Sequence, residues 1–290
     1  MSLVAPQNIT DKYQEQIDGN PLKGIPANPS LQRVVDKQLT FGPAYSFTYT
    51  NTMLPKKNTF YYKGSVDIAG TIAGLVTGAD AKADKQKEFF NIPFSQYAKM
   101  EHDFRYYRKV NSKSSIATRA ILGIGLPYGN SIYMPYTKQF FVGGSNSIRA
   151  FRARTLGPGS YDPRTQNATF FFDQSGDIKL ELNAEYRANI YKFLNVAAFA
   201  DAGNVWLVNE DPTRPGGKFS KEFTKEIAVG AGVGLRLDFS ILILRLDLAM
   251  PLRIPYGEES ERWTLDRINF GSGAWRKDNL ILNIAIGYPF

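Results

Sequence analysis

The side chain with most chemistry open to it is Arg149, at the centre of residues 140–161, FFVGGSNSIRAFRARTLGPGSY. The stretch is too long, too basic and too rich in Gly and Pro for a strand or a tight turn, yet its Phe and Ile residues call for packing. Loops of this kind carry function. A guanidinium presents a planar fork of donors that fits a carboxylate at two points, so the chemistry on offer is ion pairing that fixes a loop in one pose. The competing reading makes Arg149 a solvated member of a basic run with Arg152 and Arg154.

Bond-making chemistry finds no support. No nucleophile, base and orienting group converge, so no catalytic residues are assigned. The chain has no Cys and a single histidine, His102, which excludes thiolate sites and a His-based zinc centre. We therefore expect no metal and no cofactor. Gly230-Ala231-Gly232-Val233-Gly234 superficially suggests a nucleotide loop, but it alternates within a strand and opens no helix. The Lys82 to Lys87 run and the acidic Glu258, Glu259 and Glu261 read as solvated loop charge.

A formal net charge of +8 spread over 290 residues is scattered among acidic residues, which argues against nucleic acid as a partner. No run approaches the roughly 20 apolar residues of a membrane helix. Membrane strands need only about 10 alternating residues, so the pattern must be read residue by residue.

Residues 1–37 are polar, punctuated by Pro6, Pro21, Pro26 and Pro29, and read as an N-terminal loop or arm. Residues 38–290 hold nine strand-like segments of period two: 38–50, 59–72, 93–109, 115–126, 176–187, 193–206, 225–238, 241–251 and 279–290. In the fifth, Ile178, Leu180, Leu182, Ala184 and Tyr186 face one way and Asp177, Lys179, Glu181, Asn183, Glu185 and Arg187 the other. Six polar residues on one face cannot line a dry sandwich core. In the sixth, Val196, Ala198 and Ala200 oppose Phe199, Asp201 and Gly203. The last sets Leu280, Leu282, Ile284, Ile286, Tyr288 and Phe290 against Asn279, Asn283 and Gly287. Aromatic residues near strand ends, among them Tyr62, Tyr106, Trp206 and Tyr288, suit an interfacial girdle.

The connections alternate short and long, the longest being residues 127–175. Short periplasmic turns and long external loops are the habit of outer-membrane barrels. The predicted fold is all-β, an antiparallel transmembrane β-barrel with apolar side chains toward lipid and polar ones toward an aqueous lumen. Closure would satisfy the backbone groups that lipid cannot. On this parity the lumen face carries Glu181, Glu185, Asp201 and Asp238, each a candidate partner for Arg149 if the loop dips inward.

The loop residues Gly143, Gly144, Ile148, Arg149, Ala150, Phe151, Gly157 and Pro158 resemble the sixth external loop of the BamA/TamA family of outer-membrane assembly barrels, closest to TamA-like subunits. Ala150 stands where that family usually has Gly, a change that matters if the position needs positive φ. Residues 199–206, FADAGNVW, and the last strand also carry the resemblance, which covers about 38–290. It implies a sixteen-stranded barrel with five strands after the long loop, so that this chain corresponds to a C-terminal portion of about nine strands.

The resemblance further implies that Asp201, with Phe199 and Gly203 beside it, receives Arg149. It implies that Asn283, Gly287, Tyr288 and Phe290 belong to a C-terminal assembly signal recognised by strand addition. The function implied is non-enzymatic insertion, assembly or translocation of other proteins in a Gram-negative outer membrane, through a lateral seam and strand templating. Implied partners are outer-membrane lipid, client outer-membrane proteins, and periplasmic or lipoprotein accessory subunits. The alternatives are a two-partner secretion pore and a passive porin or barrel anchor of a fused hydrolase.

Overall fold

The computed structural model describes residues 2–4, 8–23, 32–162, 174–239 and 241–290. Pro6, Pro26 and Pro29 of the expected arm, and 163–173 of the expected long loop, lie outside the described residues. In chain order the elements are β1 (Ser2–Val4), α1 (Asp11–Asp18), α2 (Gln32–Val35), β2 (Gln38–Thr40), β3 (Ala44–Thr50), β4 (Asn58–Ala69), α3 (Thr71–Thr77), β5 (Glu88–Phe89) and β6 (Ile92–Pro93). There follow β7 (Tyr97–Lys109), β8 (Ser114–Pro127), β9 (Ile178–Tyr191), β10 (Leu194–Trp206), β11 (Ala228–Asp238), β12 (Ile243–Arg253), α4 (Gly273–Asn279) and β13 (Ile281–Ile286).

Among the described residues nine strands form one antiparallel meander in the order β13-β12-β11-β10-β9-β8-β7-β4-β3. Alternation sets which face each residue takes. Phe104, Leu182, Val233, Leu248 and Ile284 are exposed, whereas Asp103, Glu181, Glu185, Asp201, Arg236 and Asp247 are buried. This inverts a water-soluble sheet, whose polar face is the wetted one. It is the arrangement of a barrel wall, apolar outward and polar inward. Among the described residues no helix is long and apolar enough to cross a membrane.

Connections at one end are short, as between β9 and β10, where Tyr191 still pairs with Leu194. At the other end residues 128–177 separate β8 from β9, and the stretch from Phe140 to Leu156 folds back against the inner face. Ten buried apolar residues meet there: Phe140, Val142, Ile148, Ala150, Phe151 and Leu156 from the loop, with Phe199, Val205, Ala228 and Ala249 from the wall. The main core is thus a loop-to-wall core inside the sheet's curve.

Several local expectations are corrected. The N-terminal arm is more than loop: Thr10 caps α1 by accepting the Tyr13 N–H at 3.3 Å, and β1 pairs with β2. That pairing divides the expected 38–50 strand, since β2 joins β1 and only β3 joins the wall. The second strand stops at Ala69, because Gly70 at φ +67° turns the chain into α3. Phe94, which the alternation of the 93–109 segment sets in one row with Met100, Phe104 and Tyr106, is instead buried with Leu39 and Ala73. Trp206 is fully buried against Phe219 and Phe223, so it is no girdle residue. His102, which the sequence reads as structural or near a rim, lies away from the rim in the middle of β7, bonded through Nδ1 to the Tyr62 hydroxyl at 2.9 Å.

Candidate functional site

The returning loop is seated by backbone and side chain together. Phe140 and Gly176 exchange N–H···O bonds of 2.8 Å each, clamping its two ends as a short antiparallel bridge. The Phe140 ring sits over Gly123 of β8, where a β-carbon would lie 2.6 Å from the ring. Gly143 and Gly144, at φ +93° and +91°, make the turn that lets the Gly144 N–H reach the Phe151 carbonyl at 2.8 Å. Ile148 then points into the apolar cluster, and Arg149 beside it points at the wall.

Arg149 is completely buried. Its Nε and Nη2 donate to the two carboxylate oxygens of Asp201, each at 2.9 Å, and its backbone N–H adds a third bond to Asp201 Oδ2 at 3.0 Å. Nη1 donates to Glu185 at 2.5 Å and lies 3.5 Å from Asp247. The guanidinium carbon stands 3.4 Å from the centre of the Phe199 ring. Burial by itself would favour discharge, but the carboxylates of Asp201 and then Glu185 more than offset it and raise the arginine above its ordinary range.

The cluster extends along the inner face. Asn183 Nδ2 donates to Asp201 at 3.0 Å, and Arg187 Nε to Glu185 at 2.8 Å. Arg236 bridges Glu185 and Asp247. The loop is held on either side of Arg149 as well, since Ser147 donates to Glu181 at 2.7 Å and Arg245 donates to Asn146 Oδ1 at 2.5 Å. An interlocked set of this kind is costly to break at one member, because the removed partner leaves a buried charge behind.

Of the four carboxylates considered for Arg149, Asp201 and Glu185 touch it, while Glu181 binds Ser147 instead. Asp238 is at the turn end of β11, its N–H on the Phe193 carbonyl, and not beside Arg149. The carboxylate that sequence reasoning passed over is Asp247, whose parity on β12 already put it on the inner face. Gly203 is required by close packing, since a β-carbon there would overlap the Leu180 carbonyl.

Ala150 has no positive φ, so the methyl that departs from the resembled pattern carries no backbone strain. It packs instead on Gly230 of β11, where no second methyl would fit. Gly157 does adopt φ +88°, next to the cis bond to Pro158, with the Gly159 N–H bonded to the Val205 carbonyl at 2.8 Å.

The C-terminal residues divide in an unexpected way. Asn283, on β13, donates to the Arg149 carbonyl at 3.0 Å and so belongs to the loop site. The expected strand to Phe290 ends at Ile286, because Gly287 at φ +84° redirects the chain. Tyr288 and Phe290 therefore leave the outward row: Arg187, an inner-face residue, stacks 4.3 Å from the Tyr288 ring, and Phe290 is buried. The sequence signal for that reversal was Gly287 followed by Pro289.

Among the described residues no cluster of His, Cys, Asp or Glu is arranged to hold a metal. The site's chemistry is electrostatic clamping of a loop.

Residues 85–274 match the Omp85 superfamily domain. Over 207 residues the chain is 23% identical to the outer membrane protein assembly factor BamA of Neisseria meningitidis serogroup B, covering 66% of this chain and 25% of that protein. It therefore spans about a quarter of the length of that relative. Two solved structures are also similar. One is BamA from Haemophilus ducreyi lacking POTRA domains 1–3, with 18% identity and a TM-score of 0.49, covering 72% of this chain and 38% of that one. The other is CdiB from Acinetobacter baumannii, with 13% identity and a TM-score of 0.34, covering 84% and 41%. The chain belongs to the Omp85 superfamily and forms part of a Gram-negative outer-membrane β-barrel.

Proposed function

We propose that the protein inserts, assembles or translocates other outer-membrane proteins, without making or breaking covalent bonds. The observation that carries this reading is the Arg149 clasp. It joins an external loop through one buried cation to β9, β10 and β12, and through Asn283 to β13, whose second edge pairs with no strand among the described residues. An unpaired strand edge is a template on which another chain can add by main-chain bonds. A clasp that reaches the edge strand is suited to govern when that edge is offered.

Client proteins, surrounding lipid and periplasmic or lipoprotein accessory subunits are the partners in this reading. Depletion in cells tests it: levels of several outer-membrane barrels should fall together. Normal barrel levels with loss of one secreted client would replace it with a secretion pore. No change in either would leave a passive barrel.

A further inference from the structure

We infer that α3 is an interfacial anchor whose apolar face, Ile72, Leu75 and Val76, lies in the acyl-chain border of the outer leaflet. These three side chains are 79%, 79% and 82% exposed, at the i, i+3, i+4 spacing that gathers them on one helix face. The opposite face is fixed. Ala73 is buried with Leu39 and Phe94, and Gly74 lies so close to Gln96 that a β-carbon would overlap its amide. The Thr71 and Tyr128 hydroxyls bond at 2.5 Å.

What α3 rests on decides which way its free face looks. Gln96 and Tyr128 flank β7 and β8, and the Tyr128 N–H bonds the Gln96 carbonyl at 3.1 Å, prolonging the ladder one step. Both have even numbers, as do Met100, Phe104, Leu122 and Leu126, the exposed outward rows of those strands. The helix therefore lies over the lipid side of the wall at its loop end and does not cap the lumen. Its free face continues the surface that already meets the bilayer, which identifies the occupant as lipid chains.

The support beneath it is built for permanence. Asn130, completely buried, donates to the Lys87 and Phe94 carbonyls at 2.8 Å and accepts the Lys87 N–H at 2.7 Å, tying the return of this loop to the β8 end. Phe41, Phe89 and Phe94 pack ring to ring beneath the same segment, at 5.3–6.1 Å between centres. A rigid apolar ridge of this kind suits the headgroup boundary, where helices lie flat with one face in the chains. It would set the depth at which the wall rides in the membrane, whatever the protein's clients.

The absence of Cys from these residues makes the test direct. Ile72→Cys, Leu75→Cys and Val76→Cys are made singly in the intact protein and labelled with an environment-sensitive fluorophore. They are measured in vesicles of phosphatidylethanolamine and phosphatidylglycerol doped with nitroxide-bearing acyl chains. Val233→Cys on the wall and Lys82→Cys in the loop are the references. Expected is quenching by acyl-chain nitroxide about threefold or more above that at position 82, strongest when the nitroxide is near the headgroup, with little quenching by aqueous iodide. Iodide quenching equal to that at position 82 would place the face in water and overturn the inference. Protection from both quenchers, with cross-linking to a second chain, would assign the face to a protein and overturn it equally.

Discussion

Arg149 and Asp201 meet through three hydrogen bonds of 2.9–3.0 Å, two from the guanidinium and one from the backbone N–H. Side chain and main chain of one loop residue thus converge on a single carboxylate, fixing both where the loop is and which way it faces. Substituting Arg149→Ala leaves Asp201, Glu185 and Asp247 without that cation, at a cost of about 3–5 kcal/mol. Arg149→Lys keeps the charge and loses the fork, so its loss should be smaller. Limited proteolysis of the loop at external sites measures the order: wild type most resistant, Lys intermediate, Ala least.

A second pair tests the packing of the loop against β11. Gly230→Ala drives a methyl into that of Ala150 and should destabilise by about 1–3 kcal/mol. Ala150→Gly alone should cost about 1 kcal/mol. The double variant should recover most of the Gly230→Ala loss, and a thermal-unfolding cycle reads the coupling.

Asn283→Ala removes the bond from β13 to the Arg149 carbonyl, with an expected loss of about 1–2 kcal/mol. The effect should be local. Amide exchange in Ile281–Ile286 should accelerate, while β9 and β10 keep their protection.

Glu226, in the connection before β11, accepts the Trp206 indole N–H at 2.5 Å. Burial raises its pKa, and the Trp206 bond pulls only partly the other way. With a folded value above the unfolded one, its contribution to stability is fully present below the unfolded pKa and is lost as pH rises through the folded pKa. Glu226→Gln should flatten the pH dependence of stability in that window, with Trp206 fluorescence as the reporter.

Much of the wall was legible in the sequence because a strand between lipid and an aqueous interior must alternate at every residue, and Ile178 to Arg187 obey that rule without exception. What a period of two cannot supply is height along the barrel. Asp238 and Asp247 both had the parity for Arg149, but Asp247 pairs with Gly234 and Asp238 with Ile243, so only register places Asp247 at the level of the guanidinium. Trp206 and Phe94 were misplaced for a related reason: near strand ends, loops cover positions that parity alone would leave facing outward. The turn at Gly287 was masked by apolar residues on both sides of it.

The hollows at Gly123 and Gly230, filled by Phe140 and Ala150, bear on the sequence of events during maturation. A slip of one residue in either strand would put a bulky neighbour, Ile124 or Val229, where a ring or methyl has to enter. The loop can therefore seat only after those ribbons are correctly aligned, and its docking serves as a gauge that rejects a misaligned wall.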